Sequence, residues 1–309
     1  MNESQSVPLW IWICFNIFVM MMIVFDLLVL HRKDKVISVK DALLTSGLWI
    51  GLAFIFNLGI WFYKGSEIAL DFLAGYLIEK SLSIDNLFVF LLIFKYFNTK
   101  KEHEHKVLFW GILGAIVMRA LFIFFGVELV ASFHWVLYLF ALFLLYAAVN
   151  MVLPKKNINP ENNFVIKLLK KFIPISNDNN TAHFFTKKGN QWYATTLFVT
   201  LISIETTDVI FAIDSIPAIM AITLDPFIIY TSNIFAIMGL RSLYFALSGV
   251  MSLFYLLKYG LAAILAFVAF KMLAESYIDV PITIALGFIV MALAISIAAS
   301  VIFSQRKTS

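Results

Sequence analysis

The chain has 309 residues, 62% hydrophobic and 14% charged, with a mean hydropathy of +0.92 and a formal net charge of +4. This composition excludes an ordinary soluble domain. Apolar runs of about 20 residues recur, each long enough at 1.5 Å per residue to cross a hydrocarbon core of roughly 30 Å, and their continuity excludes an outer-membrane barrel built from alternating strands of about ten residues.

The sequence is therefore that of an all-α polytopic membrane protein. Its N-terminal stretch MNESQSVPLWIWICFNIFVMMM has no basic lead and no small-residue cleavage site, so it reads as a retained first span over residues 9–30. Cys14, the single cysteine, lies in that span and has no second thiol to pair with. Further spans are expected over residues 42–63, 68–94, 107–127, 133–152, 193–222, 227–248, 252–273 and 281–303, about nine in all. Eighteen of the 23 Lys and Arg then fall in HRKDKVISVK, KYFNTKKEHEHK, the 154–192 connection, the turn near Lys258 and the tail QRK. Only Lys64 lies on the opposite side, so the positive-inside rule places the N-terminus out and the C-terminus in.

The chain divides into a two-helix N-terminal segment (1–67), a first three-helix repeat (68–152), a cytoplasmic loop (153–192), a second, inverted three-helix repeat (193–273) and a C-terminal helix with a basic tail (274–309). Within the loop, FVIKLLKKFI sets Lys167, Lys170 and Lys171 against Phe164, Leu168, Leu169 and Phe172, the pattern of an interfacial amphipathic helix or of a basic linker. The repeat rests on SIDNLF at 83 aligned with AIDSIP at 212, which pairs Asp85 with Asp214, Asn86 with Ser215 and Glu79 with Asp208. Downstream, AIVMRALF at 115 and AIMGLRSLYF at 236 pair Arg119 with Arg241. Three spans per copy is an odd number, so the copies enter the membrane from opposite sides, as in secondary transporters whose site lies at the midplane between repeats.

Glu79, Lys80, Asp85, Arg119, Glu205, Asp208, Asp214 and Arg241 all fall inside spans. Isolated in lipid they would cost on the order of 20 kcal/mol together, so they must face one another, an ion or water. Five acids and three bases sum to −2, which one divalent cation or protons would neutralise. At 100° per residue Asp85 projects about 120° from Glu79. Pro217 is expected to break its helix and free the carbonyl of Ile213 beside Asp214. Carboxylates, that carbonyl, Asn86 and Ser215 make an all-oxygen ligand set, suited to Mn²⁺, Mg²⁺ or Ca²⁺ and unlike the imidazole and thiolate sites of softer metals. Arg119, Arg241 and Lys80 read as charge partners, since a cation site gains nothing from a fixed positive charge among its ligands. Asp26 and Asp71 lie near span ends, and HEH at 103–105 reads as a solvated turn.

EKSLSIDNLFVF at 79 and FAIDSIPA at 211, extended by FLAGYLIEKSLSIDNLFVFLLIF, HKVLFWGILGAIVMRALF and HRK at 31, resemble the TerC family of integral membrane proteins within the LysE-like transporter group. The resemblance covers most of residues 20–303, outside the 154–192 loop. It implies a bacterial inner-membrane protein linked to tellurite resistance and alkaline-pH response, with export of manganese or another divalent cation, and an ion path lined by Glu79, Asp85, Asp208 and Asp214. The chain departs from internal symmetry where Asn150 stands opposite Lys271, which puts in doubt any pairing that needs a lysine at both places.

The reading is a transporter and not an enzyme. Asp85 and Asp214 are expected to bind the exported ion, with Mn²⁺ favoured over Ca²⁺ or Mg²⁺. Glu79, Asp208 and Glu205 are expected to complete the shell or carry protons. No nucleotide-binding motif is present, so an ion gradient should drive transport. An intramembrane aspartyl hydrolase lacks the surrounding glycine-rich motif. A membrane scaffold or metal-delivery partner in a stress-resistance or secretion complex is the alternative. The partners expected are the lipid bilayer and a metal ion, not nucleic acid; a homo-oligomer or a secretion-machinery partner stays open.

Overall fold

The protein is described from a computed structural model covering residues 7–26, 39–153, 173–176, 182–188, 191–247, 256–274, 277–278 and 280–305. Residues Met1–Ile37 form one unit, which contains helix α1 (Leu9–Phe25), and Ser38–Ser309 form a second.

In hydrocarbon every backbone N–H needs an internal acceptor, so apolar runs become helices. Helix α2 (Val39–Lys64) has Asp41 in its first turn and Lys64 in its last, each opposing the end charge of the helix dipole. Gly65, at φ 96°, takes the left-handed turn into α3 (Ser66–Tyr96). Then come α4 (Lys101–Ser132) and α5 (Val136–Val152). HEH at 103–105 is therefore helical, in the opening turns of α4, and not a solvated turn.

The long connection folds in part as a three-stranded sheet, which the hydropathy pattern did not announce. Strand β1 (Ile175–Ser176) pairs in parallel with β3 (Gln191–Thr195), and β2 (Phe185–Lys188) pairs with β3 antiparallel, with Phe185 opposite Ala194. Residues 193–195, expected to open a span, are the end of β3. The amphipathic segment 164–172 lies outside the described residues. Strand β3 passes straight into α6 (Thr196–Met220), with Thr195 as the N-cap. Its Oγ1 accepts from the Phe198 N–H at 3.4 Å and donates to the His183 carbonyl at 2.8 Å. Thr195→Ala should therefore cost about 1 kcal/mol, measurable as a lower unfolding midpoint in detergent.

Helix α6 runs unbroken through Pro217, so the expected break does not occur. The proline sits in the last turn, where its missing N–H deprives only the Ile213 carbonyl of a partner. The discontinuity lies instead in the next span. Asp225 caps α7 (Pro226–Met238), accepting from the N–H groups of Phe227 and Ile228 at 2.9 and 3.3 Å. Gly239 then interrupts the helix before α8 (Leu240–Leu247). Helices α9 (Leu257–Ala274) and α10 (Ile282–Gln305) follow.

Among the described residues, six spans are long and apolar enough to cross a membrane: α2, α4, α6, α7 with α8, α9 and α10. Helices α1 and α5 are apolar but 17 residues long, and α3 carries Glu79, Lys80 and Asp85 in its middle. The protein is thus an all-helical polytopic membrane protein with a small extramembrane sheet.

Helix α3 packs on α2, α6, α7 and α10; α4 packs on α6 and α7; α5 packs on α9. Helix α7 is enclosed, with every residue from Phe227 to Met238 buried. Close approach of α3 and α7 needs Gly75: a Cβ there would lie 2.8 Å from Ser232 Oγ and 3.1 Å from Ile219 Cγ2. Gly75→Ala should destabilise the protein by about 1–3 kcal/mol through overpacking, seen in the same unfolding assay.

Candidate functional site

Four helices bring side chains to one guanidinium. Arg119 of α4 is fully buried, as are Glu79 of α3 and Asn233 of α7; Asp208 of α6 is 5% exposed. Arg119 makes a bidentate contact with Asp208, Nε to Oδ2 at 3.4 Å and Nη2 to Oδ1 at 3.3 Å. Its Nη1 donates to Glu79 Oε1, to Asn233 Oδ1 at 3.1 Å and to Ser215 Oγ at 3.3 Å. Asn233 Nδ2 in turn donates to Glu79 Oε2 at 3.0 Å, and Ser83 Oγ to Glu79 Oε1 at 3.5 Å. The planar fork of a guanidinium is suited to satisfying two carboxylates at once. Helical spacing delivers the partners: Glu79 and Ser83 are four apart on α3, Asp208 and Ser215 seven apart on α6, each pair on one face.

Asp85 and Asp214 lie elsewhere. Both are half-buried and line a second space, a cavity of about 260 Å³ between α3, α5 and α6, with Asn86, Tyr146 and Asn150. The lining is otherwise apolar, including Leu82, Phe143, Phe211 and Met151. Two carboxylates and two carboxamides facing one cavity can offer oxygen ligands to a hard cation.

The five expected acids are thus divided. Glu79 and Asp208 are occupied with Arg119, Asp85 and Asp214 face the cavity, and among the described residues no three His, Cys, Asp or Glu side chains converge as a metal cluster. Of the neutral candidates, Asn86 lines the cavity whereas Ser215 turns to Arg119. Ile213 and Pro217 line a separate apolar crevice of about 580 Å³ between α4, α5 and α6. Glu205 sits in a notch on α4, its Oε1 only 2.1 Å from where a Cβ on Gly114 would be.

Lys80, expected to pair with a carboxylate, donates instead to the Ala236 carbonyl at 3.1 Å, beside the interruption at Gly239. Lys271 does the same at the end of α6, donating to the Ala221 carbonyl at 3.1 Å. Each ammonium meets the negative end of a helix dipole. Arg241 of α8 is buried, 1% exposed. Sequence reasoning missed Asn233 and Asn150. The run Thr231-Ser232-Asn233 in mid-span was a readable signal for the first; Asn150, noted only as a break in symmetry, lies one helical face away from any motif.

A family model described as "Integral membrane protein TerC family" matches residues 64–308. The chain is 45% identical over 297 residues to an uncharacterised membrane protein of Myxococcus xanthus, covering 96% of this chain and 93% of the other. It is 44% identical over 297 residues to the "Putative membrane-bound redox modulator Alx" of Salmonella typhi, covering 93% and 92%, and 43% identical over 320 residues to the protein of the same name from Photorhabdus laumondii, covering 100% and 99%. No solved structure matches the chain. With the family model matched over residues 64–308 and relatives 43–45% identical over nearly the whole chain, the chain belongs to the TerC family of integral membrane proteins.

Proposed function

We propose that this protein is a secondary transporter that exports a divalent cation, Mn²⁺ foremost, across the bacterial inner membrane, with its N-terminus out and its C-terminus in. The observation that carries the reading is the cavity faced by Asp85 and Asp214, one carboxylate from each of two helices that sequence alignment relates. Two ionised carboxylates cancel one divalent cation, and Asn86 and Asn150 can add neutral oxygens without adding charge.

The packing supports inverted repeats. A two-fold operation exchanging α3 with α6 and α4 with α7 turns the α3–α7 contact into the α6–α4 contact and returns the α3–α6 contact to itself; both members of the exchanged pair are among the extensive interfaces of the bundle. Alternating access by rocking of one repeat against the other would expose the Asp85–Asp214 cavity to each side in turn.

The test is flux. Reconstituted into proteoliposomes with an imposed proton gradient, the native chain should move Mn²⁺ faster than protein-free vesicles, with Mg²⁺ and Ca²⁺ measured beside it. Absence of flux for all three ions, from correctly folded protein, would overturn transport. It would favour the second reading, a scaffold or metal-delivery partner. That reading draws support from the β1–β3–β2 sheet, a folded module that an ion path does not require. Thiol–disulfide exchange within this chain is a poor fit to the redox modulation in its relatives' name, since Cys14 is its one cysteine.

A further inference from the structure

The Arg119 cage has the composition of a cation site. Every atom turned to the guanidinium is an oxygen: Glu79 Oε1, Asp208 Oδ1 and Oδ2, Asn233 Oδ1 and Ser215 Oγ. The last two accept from the N–H groups that the carboxylates leave over, and they put two neutral oxygens in the same cage. Asn233 is oriented so that its carbonyl faces the centre while its amide steadies Glu79 from behind.

Charge and burial add a second argument. Glu79, Asp208 and Asn233 lie in a space that excludes water, so ionised carboxylates there are costly unless a cation faces them. Two carboxylates and one guanidinium leave one negative charge over, whereas a divalent ion in the same place would leave none. The ammonium of Lys80 is directed to the Ala236 carbonyl.

Position supplies the third. Ser215 of the cage follows Asp214 of the cavity in sequence, and the steps from Glu79 to Asp85 and from Asp208 to Asp214 are both six residues, a rise of about 9 Å. Cage and cavity are therefore neighbouring stations along α3 and α6.

We infer that the Arg119 guanidinium is a tethered stand-in for the transported ion, holding a five-oxygen cage on Glu79, Asp208, Ser215 and Asn233 that accepts a divalent cation when the guanidinium withdraws. The inference rests on the reading of the protein as a divalent-cation carrier. Its consequence is that the carrier returns without its cargo and yet leaves neither Glu79 nor Asp208 naked in the membrane, because Arg119 re-enters the cage as the ion departs.

The experiment counts bound Mn²⁺ on purified full-length protein by electron paramagnetic resonance. It starts from the Asp85→Asn/Asp214→Asn double variant, in which the cavity has lost its charge. That protein should bind no Mn²⁺. Adding Arg119→Gln should raise the count to one ion per chain, and adding Glu79→Gln or Asp208→Asn as well should abolish the gain. An Arg119→Gln protein that folds and binds no Mn²⁺ overturns the inference. So does one that fails to fold even in millimolar Mn²⁺, because an ion able to occupy the cage would replace the missing charge. Failure of the transport reading looks different: the native chain then neither binds nor moves Mn²⁺, while the Arg119→Gln gain is scored independently.

Discussion

Glu79→Ala should destabilise the purified protein by about 3–5 kcal/mol, the usual cost of removing one partner from a buried ion pair. The change leaves Arg119 with Asp208 as its only carboxylate and strips Asn233 Nδ2 of its acceptor, in a place where water cannot substitute. Glu79→Gln retains the side-chain volume and one acceptor oxygen, so its loss should be smaller. Reversible unfolding in mixed micelles reads both. A loss below about 1 kcal/mol for Glu79→Ala would mean that the guanidinium reaches solvent or another anion, contrary to a closed cage.

Asp85→Asn and Asp214→Asn should separate function from stability in the opposite sense. Each removes one of two carboxylates that face a common cavity, and initial Mn²⁺ efflux should fall at least about tenfold, the effect of roughly 1.4 kcal/mol of lost ion binding. Stability should change much less than for Glu79→Ala, since both carboxylates are half-buried on the cavity wall and neither is among the contacts of Arg119. Efflux that persists at the native rate in both variants would remove these residues from the ion path. The contrast between positions 79 and 85, about 1.7 helical turns apart, is the sharpest consequence of the division of acids between cage and cavity.

The helical frame was legible because hydrocarbon leaves a chain few choices. Each expected span contains a helix, though residues 193–195 belong to β3 and Gly239 interrupts the span from 227, and the requirement for charge partners is met at Glu79 and Asp208. Arg119 was readable as such a partner. Pro217 was misread for a physical reason: a proline breaks a helix when it interrupts a long ladder, but in the last turn it forfeits a single bond. The real interruption, at Gly239, was hidden in an apolar run where a lone glycine costs only about 1 kcal/mol and carries no distinctive pattern. Residues 193–195 were read as span because Tyr193, next to Trp192, is equally at home at a membrane surface and in a strand. The division of four acids between cage and cavity, with Glu205 apart, was foreshadowed only by the angle of about 120° between Glu79 and Asp85, since the rest depends on which face of α3 meets α7 and which meets α5.

Helix α7 has an implication for how the protein is made. Its span has the lowest mean hydropathy of the six, and Thr231, Ser232 and Asn233 occupy consecutive positions at its centre. Enclosed on all sides, it is solvated by α2, α3 and α4 and not by lipid. A segment with so weak a claim on the bilayer owes its place to helices synthesised before it. Biogenesis therefore has an order: α2, α3 and α4 must already be standing in the membrane to receive this segment as it emerges, and the Arg119 cage closes only at that moment, when Asn233 arrives.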